Sequence, residues 1–165
     1  MNEEDLKHSV QVAEKALEIA GRMDAELDLE LVARGALFHD LGKTETHGLQ
    51  HGLIGAEKGA KLGLPQEVNA IMEKHIRGGL TRKEAEELDL PVKDYTLYRL
   101  EERVIIYADR LVDIIHDGIV NLENELQAET EFKQILKDHI RYGKNEITTR
   151  RYYGYHDEIQ GLIPK

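Results

Sequence analysis

The stretch ALFHDLGK, residues 36–43, joins the end of an apolar segment to a polar loop. The segment that leads into it, residues 29–40, is apolar on almost every side, which predicts a helix at the centre of the fold. That helix ends in an imidazole and a carboxylate, His39 and Asp40, and Gly42 and Lys43 follow. Burying such groups is costly unless they are paired or bind a metal, so this helix end is the first candidate for a functional site.

Composition indicates an ordinary globular protein and excludes several kinds of chemistry. The 165 residues suit one domain with a substantial core, and 41% apolar with 33% charged residues argues against disorder. The net charge of −10 argues against a broad groove for a nucleic-acid polymer, because an acidic surface repels phosphate backbones. The chain has no cysteine, which excludes disulfides, thiolate metal sites and a cysteine nucleophile.

Nothing in the sequence indicates a membrane partner. No apolar run approaches the ~20 residues needed to span a bilayer. The first residues, MNEEDLKHSV, are acidic and polar, unlike a signal peptide. We therefore expect a cytoplasmic protein, and the sequence leaves its oligomeric state open.

Hydrophobic periodicity predicts an all-α fold. Apolar residues recur at helical spacing along most of the chain, and no long stretch alternates with the period of a strand. Asn2, Asp28 and Thr81 are candidate helix N-caps. The predicted helices are residues 3–21, 29–40, 53–64, 66–76, 81–88, 101–118, 121–142 and 145–162. We expect one compact helical bundle over residues 1–165, with a core of motifs at about 6–115 and C-terminal helices at about 119–162.

Polar residues occur where two of these helices should be buried. His8 lies at the edge of the apolar arc of the first helix. Asp109 lies beside Ile105 and Val112 in a helix otherwise rich in valine, isoleucine and leucine. A bare carboxylate against such a face indicates a partner, either a cation or a metal ion.

Two more histidines occur near predicted helix ends. His75 lies one turn after apolar Ile71, and His51 follows a glycine-rich loop. Neutral imidazoles and carboxylates without thiolates favour a hard or borderline divalent metal such as iron, manganese or zinc. The two oxygens of Asp40 could bridge two such ions, and a pair of ions ~3.5–4 Å apart can clamp both oxygens of a phosphoryl transfer.

These residues, in this order, resemble the H…HD…D pattern of the HD superfamily of metal-dependent phosphohydrolases. HDLGK at 39–43 resembles the HDxGK form of the motif, and HGLIGAE from His51 resembles the H-x-x-x-G segment of members with two metals. His75 in EKHI and Asp109 in ADRL fall where the remaining ligands would be. The resemblance covers about residues 6–115 and implies the HD-domain fold.

The resemblance also implies a ligand set and a reaction. One metal would be held by His8, His39, Asp40 and Asp109, and the other by Asp40, His51 and His75. It favours iron or manganese over zinc and also admits magnesium. Asp40 and Lys43 are the predicted catalytic residues, with Lys43 on the substrate phosphate. A water or hydroxide between the metals would attack the phosphorus of a small phosphate mono- or diester, nucleotide-like or cyclic.

Some roles stay open at this stage. His47 precedes His51 by one turn and competes for its role; the H-x-x-x-G spacing favours His51 and leaves His47 as a contact to a ligand or to substrate. Arg77 and Arg110 lie beside proposed ligands and either bind substrate or form surface ion pairs. Lys43 could instead cap its helix.

Two other functions remain as alternatives. Related two-iron HD enzymes are oxygenases built from the same ligand set, and turnover without O₂ would separate a hydrolase from them. The domain could also be a nucleotide-binding sensor without turnover. A complete ligand set argues against the sensor, because pure binding does not need an open metal site.

Overall fold

A computed structural model describes residues 1–165, and it confirms the predicted all-α fold: it contains helices and no β-strand. Two short 3₁₀ turns, Leu41–Thr44 and Ile76–Gly78, follow the second and fourth α-helices. The ten α-helices are α1 (Glu3–Arg22), α2 (Leu29–Phe38), α3 (His51–Lys61), α4 (Gln66–Lys74), α5 (Arg82–Glu87), α6 (Leu100–His116), α7 (Leu126–Thr130), α8 (Phe132–Asp138), α9 (Ile140–Gly143) and α10 (Glu146–Gly161). None of them is both long enough and apolar enough to cross a membrane.

The three predicted N-caps are present. The Asn2 side chain accepts a hydrogen bond from the backbone of Asp5 at 2.8 Å, and the Asp5 side chain accepts one from the backbone of Asn2. Asp28 caps α2, and Thr81 forms the predicted capping box at the start of α5. Each cap satisfies an amide that the first helical turn leaves free, which fixes where these helices begin.

The core is built around α6. This helix packs against α1, α2 and α10, and its residues Ile105, Tyr107 and Leu111 are fully buried. They belong to a cluster of 28 buried apolar residues that spans the chain from α1 to α10. A smaller cluster of five residues, centred on Leu80 and Tyr95, lies under the segment around α5.

The single helix predicted for residues 121–142 is wrong. Residues 121–125 are not helical, and α7, α8 and α9 replace one continuous helix. Glu131 and His139 leave helical geometry, with φ/ψ of −108°/14° and −125°/99°. Phe132 and Leu136 are buried, but Ile140 is 80% exposed. The apolar spacing is therefore shared among short helices that wrap the core, and contacts with the rest of the fold override the local periodicity.

A close backbone contact joins the end of α2 to the start of α3. Gly42 lies against the carbonyl of His51 and the amide of Gly55, so a Cβ at Gly42 would overlap the His51 oxygen. Only glycine allows this approach, which carries His51 to the end of α2.

We expect Gly42→Ala to lower the free energy of unfolding by about 1–3 kcal/mol, the usual cost of an overpacked site. Gly21→Ala is the matched control: it lies in α1 with no atom near its added Cβ, and alanine there should stabilise the helix slightly. Urea unfolding of both variants measures the difference. Equal stability of Gly42→Ala and the parent would contradict the close contact.

Candidate metal centre

Six of the predicted site residues meet at one place. His8 comes from α1 and Asp109 from α6, while His39 is the C-cap of α2 and is followed by Asp40. His51 is the first residue of α3, and His75 is the C-cap of α4. The structure thus brings α1 and the ends of three other helices beside Asp109 of α6.

Asp40 lies at the centre, and its two oxygens face different residues. Oδ1 is 3.2 Å from the Nε2 atoms of both His51 and His75. Oδ2 is 3.2 Å from Nε2 of His39 and 3.8 Å from Nε2 of His8. One carboxylate therefore divides the histidines into two groups, which is the arrangement expected of a bridging ligand.

Asp109 completes the group on the Oδ2 side. Its Oδ1 is 2.7 Å from Nε2 of His8 and 3.5 Å from Nε2 of His39. On the other side, Nε2 of His51 and Nε2 of His75 are 2.9 Å apart. Each group thus brings nitrogen and carboxylate oxygen atoms within reach of a common point.

Backbone hydrogen bonds fix the tautomers of three histidines. The Nδ1–H groups of His39, His51 and His75 donate to the carbonyls of Ala36, Gly48 and Met72, at 2.6, 2.8 and 2.7 Å. Each acceptor lies three residues before its histidine. In the neutral rings the Nε2 lone pairs consequently point into the site, as metal-ligating imidazoles require.

The site fits metal ions better than it fits a purely hydrogen-bonded cluster. Nε2 of His39 is buried and has no hydrogen-bond partner, since its 3.2 Å approach to Asp40 is poorly aligned. The neutral forms of His51 and His75 would place two lone pairs 2.9 Å apart. Both features need a proton or a cation, and imidazole with carboxylate is a donor set for divalent ions.

The protonation of the site follows from these contacts. Burial raises the pKa of the Asp40 carboxyl, but the positive charge of His39 outweighs burial and holds this pKa well below its usual range. Burial lowers the pKa of His39, but Asp40 and Asp109 raise it well above its usual value. Burial lowers the pKa of His75. Before metal binds, the contacts with Asp40 and Asp109 therefore favour a protonated His39, whose charge offsets that of the carboxylates.

A cavity of about 330 Å³ opens onto five of the six residues, all except the fully buried His39. Lys43, Arg77 and Arg110, all predicted to contact substrate, line it. Nζ of Lys43 is 3.2 Å from Oδ2 of Asp40. His47 does not line the cavity: it is exposed, and its Nε2 is 2.9 Å from Oδ2 of Asp5, so the structure gives its predicted substrate contact no support.

The cavity also contains polar residues that the sequence analysis missed. Asp113 lies one turn after Asp109 and 3.7 Å from Nδ1 of His8, and that spacing was a usable signal. Lys144 lies in the turn between α9 and α10, and Tyr152 lies in α10. No local pattern in the sequence links either residue to the histidines.

Comparison with known proteins places the chain in a family. The family model described as HD domain matches residues 5–113. An uncharacterized protein of Methanocaldococcus jannaschii is 37% identical over 98% of this chain and 91% of its own length. A tRNA (cytidine(56)-2'-O)-methyltransferase of Picrophilus torridus is 39% identical, and a ribonuclease Y of Fervidobacterium nodosum is 30% identical. This chain spans only 33% and 36% of the lengths of those two proteins.

A solved structure supports the same assignment at the level of the fold. The HD domain of the L. monocytogenes phosphodiesterase PgpH, in complex with cyclic-di-AMP, superposes with a TM-score of 0.62. The match covers 95% of this chain and 89% of that one, at 19% identity. Because the family model also covers more than half of the sequence, the chain belongs to the HD domain family.

Proposed function

We propose that this protein is a metal-dependent hydrolase of small phosphate esters. The observation that carries the proposal is the position of Asp40, whose two oxygens each face a separate pair of histidine nitrogens. Such a carboxylate is suited to hold two cations side by side. Two adjacent cations are the usual means of stabilising both the attacking and the leaving oxygen of phosphoryl transfer.

The ligands fall into two sets around this carboxylate. His8, His39, Asp40 and Asp109 would hold one ion, and Asp40, His51 and His75 the other. When bound, the ions would polarise the phosphoryl group and lower the pKa of a bound water. We propose iron or manganese, since imidazole and carboxylate oxygen suit both. Asp113 faces the far nitrogen of His8 and would orient that ring.

Lys43 supplies a fixed positive charge beside this carboxylate. Burial lowers its pKa, but the charge of Asp40 outweighs burial and raises the pKa above its usual value. The ammonium group therefore stays protonated at neutral pH. A compact ammonium there can bind a phosphate oxygen and stabilise charge that grows on the phosphoryl group.

The size of the cavity favours a small substrate. About 330 Å³ lies near the lower end of the range for small-molecule pockets. The structural neighbour PgpH is a phosphodiesterase whose HD domain was solved with cyclic-di-AMP. The ribonuclease Y relatives also carry a name that refers to phosphodiester cleavage. These likenesses support a phosphodiester or a nucleotide-like monoester as the substrate.

A screen of phosphate mono- and diesters with Mn²⁺ or Fe²⁺ under anaerobic conditions tests the proposal. A hydrolase turns over at least one ester without O₂. Activity that appears only with O₂ would assign the site to the oxygenase class instead.

Replacing the bridging carboxylate should empty the site. We expect Asp40→Asn to lose both metals and all hydrolysis, because an amide lacks the charge that both ions share. The helical circular dichroism should persist. The control is Asp89→Asn, an exposed residue at φ 58°, a conformation that asparagine tolerates. Elemental analysis that finds full occupancy in Asp40→Asn would contradict the assignment.

Removing one ligand of the second set should separate the two ions. His75→Ala is expected to keep about one metal per chain and to lose most turnover, since His8, His39 and Asp109 stay in place. His116→Ala, which removes an exposed histidine at the end of α6, should change neither quantity. If His75→Ala binds as many metal ions per chain as the parent, the second ion is contradicted, and only the ion held by His8, His39, Asp40 and Asp109 remains in the proposal.

Lys43→Ala should lower kcat/KM by ~10²–10³, the range for removal of one preorganised electrostatic contact. Metal content should stay the same, and Lys43→Arg should restore only part of the rate, because a planar guanidinium fits a point-charge role poorly. Lys61→Ala, an exposed lysine on α3, is the control for the loss of one positive charge. Full activity in Lys43→Ala would remove Lys43 from the mechanism.

A further inference from the structure

Three cations other than Lys43 line the cavity, namely Arg77, Arg110 and Lys144. Arg77 and Lys144 form no ion pair, although the chain has 32 acidic and only 22 basic residues. By contrast, Arg141, three residues before Lys144, pairs with Asp117 at 2.9 Å. Two positive groups in the cavity are therefore left free to meet a ligand.

Arg110 is fixed in place and still has a hydrogen-bond donor to offer. Only 7% of the residue is exposed. Its Nη2 donates to the hydroxyl of Tyr152 at 3.1 Å, and the guanidinium carbon lies 4.9 Å from the centre of that ring. Nη1 is 3.6 Å from Asp113, while the buried Nε has no hydrogen-bond partner. Such a donor needs an explanation, and an anion in the cavity that Arg110 lines is one that also matches its charge.

The backbone at both unpaired cations adopts unfavourable conformations. Only three residues other than glycine have a positive φ, and two of them are Arg77 and Lys144. Lys144, at φ 65° and ψ −65°, is the centre of a γ-turn in which the amide of Asn145 donates to the carbonyl of Gly143 at 2.8 Å. Conformations of this kind persist where the surroundings hold them, and they cluster at ligand sites.

Helix α10 holds the segment that carries Arg77. Arg151 donates to the carbonyl of Arg77 at 3.0 Å, and the hydroxyl of Tyr155 donates to the carbonyl of Gly78 at 2.6 Å. The same helix carries Tyr152, which holds Arg110. The C-terminal helix therefore positions two of the three cations, although it lies outside the residues that match the HD family model.

The three cations line one cavity, so each lies in the electrostatic field of the others. Burial, and then the positive charges of Arg110 and Arg77, lower the pKa of Lys144, with Asp113 acting in the opposite direction. An anion bound between the cations would relieve this repulsion. The phosphate at the metal centre already has Lys43 and the two proposed ions, so further cations exceed what one phosphate group needs.

We propose that Arg77, Arg110 and Lys144 form a second anion subsite, which takes a phosphate group of the substrate other than the one that is hydrolysed. The proposal rests on the hydrolase function and narrows its substrate class to phosphate esters with a second phosphate group. It also makes residues 1–165 one functional unit, since the C-terminal helices complete the site.

Non-hydrolysable probes test the subsite without requiring turnover. Binding of alkane bisphosphonates of increasing chain length to the manganese-loaded protein is compared, by calorimetry, with binding of the matching alkyl monophosphonates. We expect one chain length to give a bisphosphonate that binds at least about tenfold more tightly than its monophosphonate, the effect of one charged hydrogen bond. In Lys144→Gln that gain should fall about tenfold, and Lys144→Arg should keep most of it.

Lys137→Gln is the matched control, because Lys137 is an exposed lysine of α8 that does not line the cavity. It should keep the full gain. The subsite is contradicted if no chain length shows a gain, or if Lys144→Gln shows the same gain as the parent. Hydrolysis is measured separately, so a protein that shows the gain but cleaves no ester would overturn the proposed function and not the anion subsite.

Discussion

The whole arrangement depends on one buried carboxylate. Asp40 is 3% exposed, and a charge removed from water to that extent is stable only with compensating partners on several sides. The fold supplies His8, His39, His51, His75 and Lys43 within 3.8 Å of its oxygens. In the metal-free protein the contacts with Asp40 and Asp109 favour a protonated His39, and the ammonium group of Lys43 adds a second positive charge. Metal ions would replace that proton, so binding should release protons and be pH-dependent.

Several features of the fold place compensating groups around the Asp40 carboxylate. The close contact of Gly42 with the first turn of α3 brings His51 to Asp40, and the C-caps of α2 and α4 are themselves histidines. Carbonyls three residues earlier hold three imidazoles in the tautomer that a metal needs. For His39 and His75 this follows from their place at helix ends, because the last carbonyls of a helix have no intrahelical partners and can accept from a ring nitrogen.

The sequence predicted the structure correctly where a few neighbouring residues determine it. Caps such as Asn2 and Thr81 predicted helix starts, and the all-α fold followed from apolar spacing. The six proposed ligands were found because each has an unusual polar side chain on an apolar face or at a helix end, in the order of a known motif. The prediction of one helix for residues 121–142 was wrong because the spacing of its apolar residues fits one long helix as well as three short ones. Only packing against the core selects between the two arrangements. Lys144 and Tyr152 could not be placed in the site from the sequence. A single lysine does not specify a γ-turn, and a tyrosine-rich helix does not specify a contact with Arg110, 42 residues away.

The most direct test of the account is a crystal structure of the manganese-loaded protein, with anomalous scattering measured at the manganese edge. The account predicts two anomalous peaks ~3.5–4 Å apart, one on each side of Asp40, with its Oδ2 facing the peak near His39 and its Oδ1 facing the peak between His51 and His75. A peak bound by His8, Asp109 and Asp113 without Asp40, or no peak beside His51 and His75, would contradict it.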